Sequence, residues 1–531
     1  MNKRITNKLF AILILLLCGC ALPEQLPPCE DNILSNHELA QLKLILGPKD
    51  PAAQQPAARR FEKGTDKPLD LSVEQAMVLA LQNNQDLRVG QINPLMAGAF
   101  EKIERGVYDP EFFAELEFTR EKRNEPDQNG TLTEVEEDGN NAVIGLRKKL
   151  TFGTTVEAAV EHELIDADRE PRAETARLGL SITQSLLRGF GPAVNLVKVR
   201  QARLNTTATI HELRGMTEAL LADTETAYWN YVLARQKIEI FENSQAIALQ
   251  QLDEIRQRIE VGILPKIEAA AAQAEVARRQ QALIDARSQL EEKRLRLLRL
   301  TNPAGDGQLD IPINATSQTA IDPQPITDLH DRLQLARQSR PDLNEARLRQ
   351  QQDRLETITT RNGLLPKLDL FISLGKTGYG ESFSDSFRKM DENTHDYSVG
   401  IRLSHFIGNR QAEGRDLVAR ATWQQTTEAL KNLEQIVDLD VRLAANEAER
   451  TRQLIAATKA TRILQEETLK AEKERFEVGA TTALLVAQAQ RDLLTSAIDE
   501  VESVVNYRQA LISLYLVEGS LLERRGIELS N

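Results

Sequence analysis

The chain has 531 residues, 27% of them charged and only 4% aromatic, a composition typical of long helices in which small residues let neighbours approach closely. Its net charge of −13 argues against a general nucleic-acid binder, because neutralising phosphates needs a basic face. The six histidines are scattered, no HExxH, CxxC or GxSxG occurs, and Gly375-Lys376-Thr377 lacks the upstream glycine of a phosphate loop. Neither an enzyme nor a bound metal or cofactor is therefore expected.

At the N-terminus Lys3, Arg4 and Lys8 precede the apolar run Leu9–Leu17, which is too short to span a bilayer but suits a signal peptide over residues 1–19. The run ends in Leu17-Cys18-Gly19-Cys20, similar to a bacterial lipobox, so cleavage before Cys20 and acylation of its thiol are expected. The resemblance further implies that Ala21, where an inner-membrane retention signal would carry Asp, favours the outer membrane. Cys29 is then the one remaining free thiol, and no intrachain disulfide framework is possible. Residues 20–70 are rich in proline and read as a tether. No later segment has about 18 uninterrupted apolar residues, so any membrane crossing must use β-strands.

The rest of the chain is duplicated. Residues 71–110 align without gaps on 327–366, matching Ala80 to Ala336, Leu87 to Leu343 and Pro110 to Pro366. Residues 191–262 align on 408–479 at a second constant offset, matching Gly191 to Gly408 and Arg258–Gly262 to Arg475–Gly479. The offsets of about 256 and about 217 differ by about 39 residues, all inserted in the first copy between Pro110 and Gly191. Repeat 1 spans 71–301, a linker 302–325, repeat 2 326–523 and a tail 524–531.

Each repeat opens with a helix. In the first, Ser72 with Gln75 forms a capping box for a helix reaching about Arg105. The hydrophobic period then changes from 3.6 to 2. Phe112, Ala114, Leu116 and Phe118 alternate with polar neighbours, and similar runs occupy 142–150, 155–163 and 176–186. Within strands 366–406 repeat 2 has two such runs, at Leu368–Leu374 and Tyr397–Leu403. Residues 121–141, 164–175 and 376–395 read as long polar loops, and Thr151–Thr154 as a tight turn, the asymmetry of a transmembrane barrel. The extra residues fit one added hairpin turned at Gly153.

From Gly191 to Gly262, Leu220, Thr224, Ala227, Tyr231, Ala234, Ile238, Phe241, Ala248, Leu252, Ile255 and Ile259 recur close to a 3.5-residue period, which predicts coiled-coil-like packing. About 70 residues make a rod of roughly 105 Å. A break at Gly262–Pro265 leads to a helix returning to about Thr301, and repeat 2 copies this with a turn at Gly479 and a last helix to about Leu522.

This order resembles the TolC-like outer-membrane efflux proteins. The resemblance rests on Leu71-Ser72-Val73-Glu74-Gln75-Ala76 with Leu79-Ala80 and Asp86-Leu87, on Gln184–Gly191 where strand passes to helix, on Gly408-Asn409-Arg410, and on the paired Arg-x-Glu-Val-Gly turns. It implies a mainly α fold with a β-barrel part. Three protomers would pool their strands in one outer-membrane barrel and continue it as an α-helical periplasmic tunnel. It also implies an exit duct working with a periplasmic adaptor and an inner-membrane pump, in contact with outer-membrane lipid. The family protomer gives four strands, whereas six strand-like runs occur here. An 18-stranded barrel is one expectation and a hairpin lying outside a twelve-stranded wall is the other.

On the same resemblance the turns at Gly262 and Gly479 form the periplasmic tip that docks the adaptor, with Pro265, Glu268 and Thr482 beside them. Glu268 matches the family's acidic position, while its counterpart is Leu485. Arg258, Glu260, Arg475 and Glu477 are candidates for gating ion pairs. The competing functional reading is a lipid-anchored coiled-coil scaffold that forms no pore.

Overall fold

The computed structural model describes residues 68–126, 131–167, 170–303, 309–392 and 394–527. The signal peptide, Cys20, Cys29 and most of the tether lie outside the described residues.

In repeat 1, β1 (Leu69–Leu71) leads to α1 (Val73–Asn83), α2 (Gln85–Gly90) and α3 (Ile92–Gly106). Four strands follow: β2 (Glu111–Pro126), β3 (Leu132–Lys149), β4 (Thr154–Ala167) and β5 (Glu170–Ser185). The turn α4 (Pro192–Asn195) opens the long helix α5 (Val197–Glu260), and α6 (Ile267–Thr301) returns along it. After β6 (Ile313–Ala315), repeat 2 runs α7 (Leu329–Ser339), α8 (Pro341–Gly363), β7 (Lys367–Gly380), α9 (Phe383–Lys389), β8 (Asp396–Ser404), α10 (Arg410–Glu477), α11 (Ala483–Val517) and α12 (Leu521–Arg524). Among the described residues no helix is long and apolar enough to cross a membrane.

The duplication is visible in equivalent backbone. The capping box is present, Ser72 Oγ accepting from Gln75 N while Gln75 Oε1 accepts from Ser72 N. The single opening helix expected to Arg105 is, however, broken at Asn84, whose φ/ψ of −63°/126° is nearly repeated by Arg340 at −64°/120° in the second copy. Asn84 ends one helix and caps the next, its side-chain oxygen accepting from Leu87 N at 3.0 Å. In the second copy Pro341 takes the first helical position instead. The matched residues Ala80 and Ala336 are both fully buried.

α5 and α10, of 64 and 68 residues, each pair with their returning helix. At 1.5 Å per residue they are rods of roughly 100 Å. Aliphatic and alanine side chains line the contacts: Ala248, Leu252 and Ile255 are buried in the first pair, and Leu469 with Val486 and Ala489 in the second. Over residues 217–234 burial on α5 is not confined to the predicted stripe. Glu218, Leu221, Glu225, Tyr228, Trp229 and Val232 are buried too, because α11, the segment around Arg525 and the β1–β6 pair close over this stretch, with Arg508 over the Trp229 ring and Arg525 on Glu225.

That pair revises the predicted linker. β6 lies inside residues 302–325 and runs parallel to β1, Leu69 opposite Ile313. Tyr228 OH donates to Leu71 O at 3.0 Å and Tyr231 OH to Ile313 O at 2.6 Å, fixing both strands to α5. The last helix is also interrupted, at Gly519 (φ +65°), where Gly519 N donates to Leu516 O and Ser520 N to Tyr515 O.

The larger sheet is antiparallel in the order β2-β3-β4-β5-β7-β8, joining both repeats. Much of the predicted loop at 121–141 is strand. The ladder continues past the apolar runs because charges pair across it, Arg120 with Asp138 at 2.7 Å and Lys122 with Glu136 at 3.2 Å. In the predicted loop 376–395, β7 reaches Gly380 and α9 forms.

Candidate channel wall and helix tips

Strand alternation separates two faces across all six strands. One row of directly opposed residues reads Phe112, Leu146, Ala158, Leu180, Leu374, Tyr397. The rows beside it carry Ala114, Ile144, Val160 and Leu178, ending in Lys376 on β7, on one side, and Val156, Ile182, Ile372 and Val399 on the other. Phe112, Leu116, Phe118, Tyr397, Val399 and Ile401 are exposed in the isolated protomer. So extended an apolar surface needs a covering, and its rows suit hydrocarbon. Lys148 shares this face but stands near the turn to β4, at the rim, where a long side chain can reach water. Lys149 points to the other face.

His162, also on the apolar face, is covered. α9 lies over it, the imidazole 4.7 Å from the Phe383 ring and 6.1 Å from that of Phe387, with Nε2 3.3 Å from Glu174 Oε2. The helix can sit this close because Gly378 and Gly380 lie beneath it; a β-carbon at either would collide with the backbone around Ser386.

The opposite face is charged. Arg147 Nε donates to Glu157 Oε2 at 2.6 Å, and Arg177 Nη2 to Asp396 Oδ2 at 2.7 Å. Glu111 and Glu161 stand 3.6 and 4.0 Å from these arginines. Phe113 lies on the flat backbone of Gly145, where a β-carbon would come within 2.6 Å of its ring, and the Arg147 guanidinium covers the ring at 4.8 Å. Phe371 sits over Gly400 in the same manner, with Arg402 at 5.4 Å. A surface of acids, arginines, serines and glycines suits the water-filled side of a wall.

The β3–β4 turn is built into the base of this wall. Gly153 (φ +90°) packs against the elbow where β5 passes to α4. Asn195 Nδ2 donates to Thr151 O at 2.9 Å and to Gly189 O at 2.8 Å, Gly191 N to Phe152 O, and Tyr108 OH to Asn195 O.

At the far ends of the long helices the two tips are copies. Gly262 N donates to Ile259 O at 3.0 Å and Ile263 N to Arg258 O at 2.8 Å, with Gly262 at φ +78°. Gly479 N donates to Phe476 O at 3.1 Å and Ala480 N to Arg475 O at 2.8 Å, with Gly479 at φ +74°. This is the left-handed helix stop that glycine permits at least cost.

Pro265 stands two residues before the first helical residue of α6, not within its first turn, and its carbonyl accepts from Glu268 N at 3.1 Å. Glu268 lies in that first turn, half-buried. Thr482 is the extended N-cap of α11, its carbonyl accepting from Leu485 N. Of the gating candidates, Arg475 pairs with Glu472 at 2.7 Å and Arg258 lies over the Phe476 ring at 5.2 Å, joining the two tips, while Glu260 and Glu477 are exposed at their helix ends. The Arg258–Phe476 contact is not marked in the sequence, because the positions are 218 residues apart and aromatic packing there has no period of its own.

A wall with one greasy and one charged face, carried on helix hairpins of this length, defines the class as a TolC-like channel protomer. The chain belongs to the outer membrane efflux protein family, whose model matches residues 76–303 and 332–520. It is 23% identical over 326 residues to Outer membrane protein TolC of Escherichia coli (strain K12), covering 59% of this chain and 64% of the length of that relative. Among solved structures the fold is similar to the Campylobacter jejuni CmeC outer membrane channel, at TM-score 0.64 and 16% identity over 89% of this chain and 93% of that one. It is likewise similar to the open state of the Neisseria gonorrhoeae MtrE outer membrane channel, at TM-score 0.61 and 16% identity over 89% and 98%.

Proposed function

We propose that the protein is the outer-membrane exit duct of a tripartite efflux or secretion system. Three copies pool their strands into one barrel and their helix hairpins into a periplasmic tunnel. Cys20 carries the lipid anchor, and the tips around Gly262 and Gly479, with Pro265, Glu268 and Thr482, receive a periplasmic adaptor that links the duct to an inner-membrane pump. In this reading Arg258, Glu260, Arg475 and Glu477 form ion pairs between neighbouring copies at the closed tip.

The observation that carries this reading is the sheet, whose end strands β2 and β8 are each paired on one side only among the described residues and whose apolar face is uncovered except beneath α9. An open edge cannot stay unpaired in lipid, so copies must share one barrel. A scaffold without a pore has no use for an apolar face extending across six strands.

Single-channel conductance of the purified lipidated protein in a planar bilayer tests the proposal. Wild type is compared with a variant in which Glu268→Ala is combined with loosened Gly262 and Gly479 turns. Small closed-state currents that rise steeply in the variant are expected. Silence from both folded proteins overturns the duct in favour of the scaffold.

A further inference from the structure

We infer that the β3–β4 hairpin is an integral pair of staves, so that each protomer supplies six strands and a trimer closes an 18-stranded barrel. The inference rests on the trimeric duct proposed above and adds the width of its outer-membrane part.

Repeat 2 contributes the two strands β7 and β8, which correspond to β2 and β5 through the matched residues that flank them, Pro110 with Pro366 and Gly191 with Gly408. Two equal repeats would give four strands per protomer and twelve per trimer. The inserted residues of repeat 1 hold β3 and β4. A hairpin added outside the wall would leave β2 beside β5. Instead Glu111–Pro126 of β2 lie opposite β3, and Thr154–Ile165 of β4 lie opposite β5, so β2 and β5 are held apart by two fully laddered strands.

Three further features agree. Both faces run through the insert without interruption: Leu146 and Ala158 continue the apolar row of Phe112 and Leu180, while Arg147 and Glu157 continue the charged face. The lower turn of the hairpin has no helix of its own beneath it, and Gly153, Thr151 and Phe152 are bound to the Gly189–Asn195 elbow. Six antiparallel strands also leave β2 and β8 running in opposite directions, so β2 of one copy can pair with β8 of the next without a parallel seam. Barrel diameter grows roughly linearly with strand number, so 18 strands make a ring about half as wide again as twelve, enough for an open aqueous lumen.

Cryo-electron microscopy of the full-length lipidated protein in lipid nanodiscs tests the inference. Eighteen strands, with β2 of one copy beside β8 of the next, are expected. A trimer with a closed twelve-stranded barrel and the hairpin outside overturns the inference and leaves the duct standing. Particles with no closed barrel overturn both.

A second measurement reads the wall in cells. In a Cys29→Ser background, Glu161→Cys on β4 combined with Arg177→Cys on β5 places two thiols directly opposite each other. An intrachain disulfide under mild oxidation is expected. No disulfide in a heat-resistant, correctly assembled sample overturns the six-strand wall.

Discussion

Gly153 and Gly189 meet so closely that a β-carbon on the first would collide with the carbonyl oxygen of the second. Because Gly153 also holds φ +90°, Gly153→Ala combines backbone strain of about 1–2 kcal/mol with that collision. The yield of heat-resistant oligomer on gel electrophoresis should fall severalfold. Helix content by circular dichroism should hardly change, since α5, α6, α10 and α11 do not depend on the turn.

The tip glycines are constrained differently. Around Gly262 and Gly479 there is open space, and only their positive φ resists a side chain. Gly262→Ala and Gly479→Ala should each cost about 1 kcal/mol, confined to the last helical turn. Hydrogen exchange should quicken at residues 258–264 or 475–480 and stay unchanged along the middle of the rods.

Glu218 is buried on α5, with Arg214 Nε donating to its Oε1 at 3.0 Å. Burial outweighs that partner and raises the carboxyl from 4.5 to about 7. The fold therefore favours the neutral acid, and the stability this gives is present below pH 4.5 and lost as pH rises through about 7. Glu218→Gln should leave stability nearly unchanged at pH 4.5 and raise it by about 3 kcal/mol at pH 8. Chemical denaturation at the two pH values measures the difference, and an equal effect at both contradicts it.

The segment after Gly519 is held to α5 by ion pairs. Arg525 grips the buried Glu225 with two bonds of 3.0 and 2.8 Å, and Arg214 reaches Glu523 at 2.6 Å. Arg525→Ala leaves Glu225 without that partner and should cost about 3 kcal/mol. The measurable sign is faster trypsin cleavage at Arg524 in the variant.

On the apolar face, Gly378→Ala should unseat α9, because its new β-carbon meets the carbonyl of Ser386. Trypsin added to whole cells should then cut at Arg388 or Lys389 many times faster than in wild type. The variant should still assemble, since the ladder from β5 to β7 uses backbone and not that side chain.

The amino-acid sequence by itself determined the duplication, the six alternating runs, the long amphipathic helices and both glycine stops. Each rests on a short-range rule: a period of 2, a period near 3.5, or the backbone freedom of glycine. The same rules hid the breaks at Asn84 and Arg340, where a side-chain cap in one copy and Pro341 in the other interrupt a continuing apolar pattern, and read the charged ends of β2 and β3 as loop. Only the tertiary structure decided what depends on partners far apart in the chain. Ala320 and Arg508 meet although 188 residues separate them, β1 finds β6, Arg258 finds Phe476, and α9 covers His162. It also placed β3 and β4 between β2 and β5, because backbone ladders and a turn seated on Asn195 fix strand order, and no residue pattern within one strand records its neighbours.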